Sequence, residues 1–153
     1  MGYQHEKEVK IISENFHTNA DFFNSLNYDP YRHATVSVID TDGKKNFSEF
    51  QNAIDAYYSL VAKLVKLQVQ AIHLVQEKNI KKIFVDGGFS QNSIFMNMLA
   101  QALPANEIYA TIEPQASALG AALSMHHHWN EQQPLKQLMI TRYANQKSYE
   151  IIL

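Results

Sequence analysis

Two short apolar runs in the second half of the chain constrain its fold more than any other feature. They are Lys81-Lys82-Ile83-Phe84-Val85 and Glu107-Ile108-Tyr109-Ala110-Thr111-Ile112. The first is bounded by charge on one side and by Asp86-Gly87-Gly88 on the other, and it reads as a buried strand; the second suggests another. Between them, residues 91–103 place Ile94, Met98 and Leu99 on one helical face, and Pro104 ends that helix. After the second run, Pro114 suits the first turn of a helix reaching about His127. Its small residues Ala116, Ala118, Gly120, Ala121 and Ala122 suit close approach to a neighbouring sheet or helix. With a helix before residue 81, the order becomes helix, strand, helix, strand, helix, which argues for a parallel α/β arrangement.

No Gly or Pro interrupts residues 44–86. Ile54, Tyr57, Val61, Leu64, Ile72 and Val75 recur at helical spacing, so the pattern predicts a long helix over 47–78, on the order of 45 Å in length. Asn46 with Glu49, or Ser48 with Gln51 one register later, fits a capping pair at its start. Leu60, Val65, Leu67, Val69 and Leu74 fall off the main stripe. The helix is therefore covered on more than one side, or is two helices end to end. Residues 5–16 form an amphipathic helix on Val9, Ile12 and Phe16. Residues 17–34 read as an irregular connection with aromatic anchors and a turn at Asp29-Pro30. Residues 34–39 alternate as a strand, and 138–142 and 148–153 suggest tail strands. The expected division is 1–46 (N-terminal helix and connection), 47–130 (core) and 131–153 (tail).

Composition excludes several classes. At 153 residues the chain suits one domain of ordinary size, and 46% hydrophobic with 18% charged residues lies outside the disordered class. The absence of cysteine excludes a disulfide framework, a thiolate zinc site and a cysteine nucleophile. A net charge of −2 gives no footprint for nucleic acid or an anionic membrane. Residues 1–10 are polar, unlike a signal peptide, and no apolar stretch approaches the roughly 20 residues of a membrane span. A cytoplasmic location is the expectation.

Three segments invite a chemical reading. Asp40-Thr41-Asp42-Gly43, with Glu49, has the flavour of a calcium loop, but Lys44 and Lys45 occupy loop positions 5 and 6 and Glu49 falls at position 10 instead of 12. A capped helix start accounts for it better. His126-His127-His128 are successive residues that point about 100° apart on a helix and do not converge on one metal. A solvated helix end, where a cationic imidazole suits the dipole, is the better account. Asp86-Gly87-Gly88-Phe89-Ser90-Gln91-Asn92 joins a strand to a helix. Two glycines allow a ligand close to the backbone, the helix start presents free N–H groups, and Asn92 has the hydrogen-bonding capacity for a base or ribose. The segment lacks the spacing of the dinucleotide fingerprint and the Lys of the P-loop. By itself it is also an ordinary tight connection.

The span from Ile83 to Met125 resembles the C-terminal signature of FGGY-family carbohydrate kinases, members of the ribonuclease-H-like, actin-like ATPase fold. The first matching block is Val85-Asp86-Gly87-Gly88-Phe89-Ser90-Gln91-Asn92. The second, about 25 residues on, is Pro114-Gln115-Ala116-Ser117-Ala118-Leu119-Gly120-Ala121-Ala122. The match is strong over this span, loose over residues 1–46, and departs at Gln115, where the family usually carries Glu.

The resemblance implies an α/β fold that is part of a ribonuclease-H-like domain. It implies that Gly87, Gly88 and Asn92 line the adenosine side of an ATP pocket with Phe89 adjacent, and that residues 117–122 form a packing helix. Family members run about three times this length. The phosphate-binding loop, the catalytic Asp, the Mg2+ ligands and most of the sugar site are therefore expected in an N-terminal half that precedes Met1, and no residue here takes the general-base role. The implied reaction is transfer of the γ-phosphoryl of ATP to a hydroxyl of a ketose or related sugar, with this chain inactive alone. Uncovered apolar surface on strand 81–85 and the long helix is expected to pair with that half or with a second copy. The alternative is a stand-alone binding or interaction module of the same fold without catalysis. A related activator ATPase is disfavoured because its cluster cysteines are absent.

Overall fold

The computed structural model describes residues 2–35, 50–77, 80–111, 116–128, 139–144 and 147–152. The chain opens with α1 (Gly2–Phe16), whose Val9 and Ile12 are buried as their spacing requires. The connection that follows is more regular than expected. Asn19 caps α2 (Ala20–Asn24) by accepting from the Asp21 N–H. Asp29 accepts from the N–H groups of Tyr31 and Arg32 at the start of α3 (Pro30–Thr35), with Pro30 in the first helical position. Asp29-Pro30 thus starts a helix. Tyr58 fixes the segment from below: its hydroxyl donates to the Asn27 carbonyl and accepts from the Asp29 N–H. Residues 34 and 35 close α3 and are not strand; the rest of the expected strand, residues 36–39, lies outside the described residues. So do the calcium-like segment 40–49, including Asn46, Ser48 and Glu49, and also Pro114 and Gln115.

The long helix is α4 (Ala53–Val75), shorter at both ends than the expected 47–78. Residues 50–52 are bends. The cap is Asn52, one turn downstream of the two candidate pairs: its Oδ1 accepts from the Asp55 N–H at 2.9 Å and its Nδ2 donates to the Asp55 carboxylate at 2.7 Å. Asp55 also pairs with Arg32 of α3. Of the off-stripe apolar residues, Leu60 and Val65 are explained by burial around the circumference, since residues 56–61 are all buried. Beyond Lys66 the helix emerges into solvent and ends on Leu74 and Val75, 87% and 79% exposed.

The alternating half follows in the expected order. β1 (Lys82–Val85) leads through a 3-10 turn (Gly88–Gln91) to α5 (Ser93–Ala102), and β2 (Glu107–Thr111) precedes α6 (Ala116–Met125) and a 3-10 turn at His126–His128. β1 and β2 are parallel, Lys82 facing Glu107 and Val85 facing Ala110. The sheet is not parallel throughout. β3 (Met139–Ala144) lies antiparallel on the far side of β2, and β4 (Lys147–Ile152) lies antiparallel on β3, giving the order β1-β2-β3-β4. A two-residue link permits only the antiparallel hairpin seen there. The fold class is mixed α/β.

The core lies between α4, α5 and one face of the sheet. Tyr57, Leu60, Val61 and Leu64 of α4 meet Ile94, Phe95, Met98 and Leu99 of α5 above Ile108 and Ala110. α1 joins through Val9 and Ile12 and through a largely buried ion pair, Glu8 with Lys63 at 3.2 Å. In α6, Ala118, Ala121, Ala122, Ser124 and Met125 are exposed, while the side chains of Ser117, Leu119 and Gly120 in the expected packing segment lie outside those described.

Candidate functional site

The glycine segment sits where the C-terminal ends of β1 and β2 meet the start of α5. Gly87 has φ 82, a left-handed conformation that favours glycine over residues with a side chain. Its N–H donates to the Asp86 carboxylate, which also accepts from the Thr111 hydroxyl at 3.1 Å. The Ser90 hydroxyl lies 2.8 Å from the Gly87 carbonyl and 2.9 Å from that of Thr111. These bonds tie the two strand ends together through the turn. Asp86 thereby serves the turn, as expected for a residue at a strand end.

Beside this turn opens a cleft of about 1270 Å³, with Gly88, Phe89, Asn92 and Ser93 on one wall and α1 on the other. Gly87 does not line it; its part is to set the turn. A side chain at Gly88 would meet nothing within 4 Å, so the backbone there is open to a ligand. Phe89 is half-buried, 5.3 Å from the His5 ring and 4.6 Å from that of Phe95. Three residues of the cleft lining, Ser13, Thr18 and Ser93, carry hydroxyls that are buried and without a hydrogen-bond partner.

Asn92 does more than the sequence suggests. Its Oδ1 accepts from the Phe95 N–H and caps α5, and its Nδ2 donates to the Tyr57 hydroxyl at 2.7 Å. The cap fixes which end of the carboxamide is oxygen. The Tyr57 hydroxyl also lies 3.3 Å from His5 Nε2, with donor and acceptor set by the imidazole tautomer. Burial pushes the His5 pKa below its ordinary value, against the opposing pull of Glu6 and Glu8. Burial likewise pushes the Tyr57 hydroxyl up, partly offset by the bond from Asn92.

Of the expected residues, the fold brings Gly88, Phe89 and Asn92 together around one opening. It adds His5 and Tyr57, which the sequence does not flag: they lie 87 and 35 positions from Asn92, and Tyr57 reads simply as part of an apolar stripe. The histidine run ends α6 as a 3-10 turn, with His126 half-buried and His128 exposed. Among the described residues no three His, Asp or Glu side chains gather to hold a metal ion.

The model of the FGGY family of carbohydrate kinases, C-terminal domain, matches residues 6–128. The chain belongs to that family and represents the C-terminal domain of a carbohydrate kinase. Comparisons with curated proteins and with solved structures return no match. Full-length members of the family are kinases that use ATP, typically with Mg2+. Among the described residues no helix is long and apolar enough to cross a membrane.

Proposed function

We propose that this chain forms the adenosine-side wall of the active cleft of an ATP-dependent sugar kinase, as part of a ribonuclease-H-like domain. The observation that carries the reading is the cleft itself. An open Gly88 backbone, the Phe89 ring and Asn92 border it, inside the segment that matches the kinase family. In this reading Gly88 admits the nucleoside against the main chain. Phe89 offers it an apolar edge, and the second N–H of the Asn92 carboxamide serves a base or ribose oxygen. Gly87 holds the turn that aims these groups.

Phosphoryl transfer depends mainly on positioning and charge stabilisation. The phosphate loop, the Asp that accepts the sugar proton, and the carboxylates for Mg2+ are assigned to the N-terminal half. No metal-holding cluster is found among the described residues here. The chain's own part is to orient the nucleoside and to exclude water when the halves close. Alone it transfers no phosphate. The acceptor is a ketose or polyol, and the working compartment is the cytoplasm. Residues 1–46, 47–130 and 131–153 act in this reading as α1 wall with connection, core and tail.

The test is a titration of ATP to millimolar concentration, followed by amide resonances. Shifts clustered on residues 87–92 are the expected result; silence there removes the nucleotide role from the isolated chain. Mixing with a polypeptide that carries the phosphate loop should then restore ADP release with a ketose or polyol. One observation favours a second reading, a binding module without catalysis. The Asn92 carboxamide is already engaged by Phe95 and Tyr57, as a purely structural residue would be.

A further inference from the structure

One side chain on the cleft wall is aimed by a residue that does not itself line the cleft. Asn92 borders the opening, whereas Tyr57 of α4 stands behind it. The Asn92 carboxamide carries an oxygen acceptor and two N–H donors. The oxygen accepts from the Phe95 N–H at 3.0 Å, which turns it toward α5. One N–H is given to the Tyr57 hydroxyl at 2.7 Å. A planar group held at both ends keeps a single orientation. The second N–H has no partner among the described residues, and it is the donor left for a guest.

The hydroxyl that holds the carboxamide is itself held. The Tyr57 ring is 0% exposed, in the stretch of α4 that is buried on every side. It stacks on Phe23 of α2 with ring centroids 4.8 Å apart, and it meets the His5 ring of α1 edge-on at 5.9 Å. A ring confined in this way does not move to follow the carboxamide; the carboxamide follows the hydroxyl. Without that bond the cap alone restrains the amide plane, because the last torsion of asparagine is broad.

We propose that Tyr57 is a positioning residue for nucleoside binding: its hydroxyl anchors the Asn92 carboxamide so that the second N–H is presented to the base or ribose of ATP. The inference rests on the adenosine-side reading given above. Anchoring strengthens binding by removing an ordering cost from the association step. Tyr57→Phe keeps the ring and its stacking and loses only the hydroxyl. It should raise the dissociation constant for ATP about fivefold, the worth of one ordinary hydrogen bond.

The test has two arms on the full 153-residue chain. Without ligand, the Asn92 side-chain N–H bonded to the hydroxyl should exchange with solvent more slowly than the other, and Tyr57→Phe should abolish the difference. A pair that is unchanged by the substitution overturns the anchoring, whatever ATP does. In the second arm ATP is titrated against parent and variant well below their melting temperatures, followed by the amides of residues 87–92. Weaker binding by Tyr57→Phe is the expected result. Equal binding, even with a lowered melting temperature, overturns the positioning role and leaves the adenosine reading standing. Absence of binding in the parent overturns that reading and this inference together. Asn92→Ser keeps a capping oxygen but has no carboxamide to aim. Adding Tyr57→Phe to it should change the ATP dissociation constant by less than about 1.5-fold. A further fivefold loss in that background would mean that Tyr57 acts without Asn92 and would overturn the proposal.

Discussion

α5 and α6 are built on one plan, each following a strand of the parallel pair, yet their described side chains differ in burial. In α5, Ile94, Phe95, Met96, Met98 and Leu99 are each at most 1% exposed. In α6 every side chain with a described burial between residues 116 and 125 is exposed. The difference lies in what each offers a neighbour. Large side chains remove enough apolar surface from water to fix a helix on the core without help. Alanine and serine remove little, and a helix made of them gains mainly from close contact with a surface shaped for it. Position after a strand is thus insufficient to predict the burial of a helix's side chains.

Substitutions can break this comparison. The largest effect is expected from Leu99→Ala, fully buried between α4 and the sheet, at about 3 kcal/mol of unfolding free energy by denaturant titration. A loss below 1 kcal/mol would mean that α5 is no better anchored than α6. Next comes Asn92→Ala, which removes the α5 cap and the bond to Tyr57, at about 1–2 kcal/mol. Asn92→Asp keeps the cap acceptor and should lose less.

A smaller effect is a pH dependence traced to His5. Its folded pKa lies below the ordinary 6.5, so the unfolded chain binds the proton more readily. His33 is shifted the same way by burial. Stability is complete above about pH 6.5 and declines as pH falls from there toward the folded-state values. His5→Gln should flatten part of that decline in thermal melts at pH 5 and pH 8; an unchanged slope would detach α1 from the effect. Least of all, Ala121→Ser on the exposed face of α6 should change stability by less than about 0.5 kcal/mol. A larger loss would reveal a surface packed on α6.

The elements with strong local signals were readable in the sequence. Val9, Ile12, Ile94, Met98 and Leu99 announced their helices by spacing, and residues 81–85 and 107–112 announced the parallel strands by apolar runs between charge and turn. The start of α4 was misplaced because three Asn or Ser caps compete there, and the choice of Asn52 depends on Asp55 and on its distant partner Arg32. Sheet order depends on β2 pairing with β3, nearly 30 residues on, which no local pattern encodes. At the site, the double glycine and Asn92 were readable as a motif. The engagement of Asn92 by Tyr57, and of Tyr57 by His5, was not, because it arises only when α1, α4 and α5 pack together.

The bonds of Ser90 and Thr111 across the two strand ends give the cleft unequal jaws. Gly88 and Ser93 belong to a jaw riveted to the sheet and to α5. The facing jaw is α1, held by two buried apolar residues, one ion pair and the His5 contact. Any widening to take in a guest therefore falls to α1 and the α2 segment beside it while the turn stays fixed, and amide exchange should register it as faster opening in α1 than in α5.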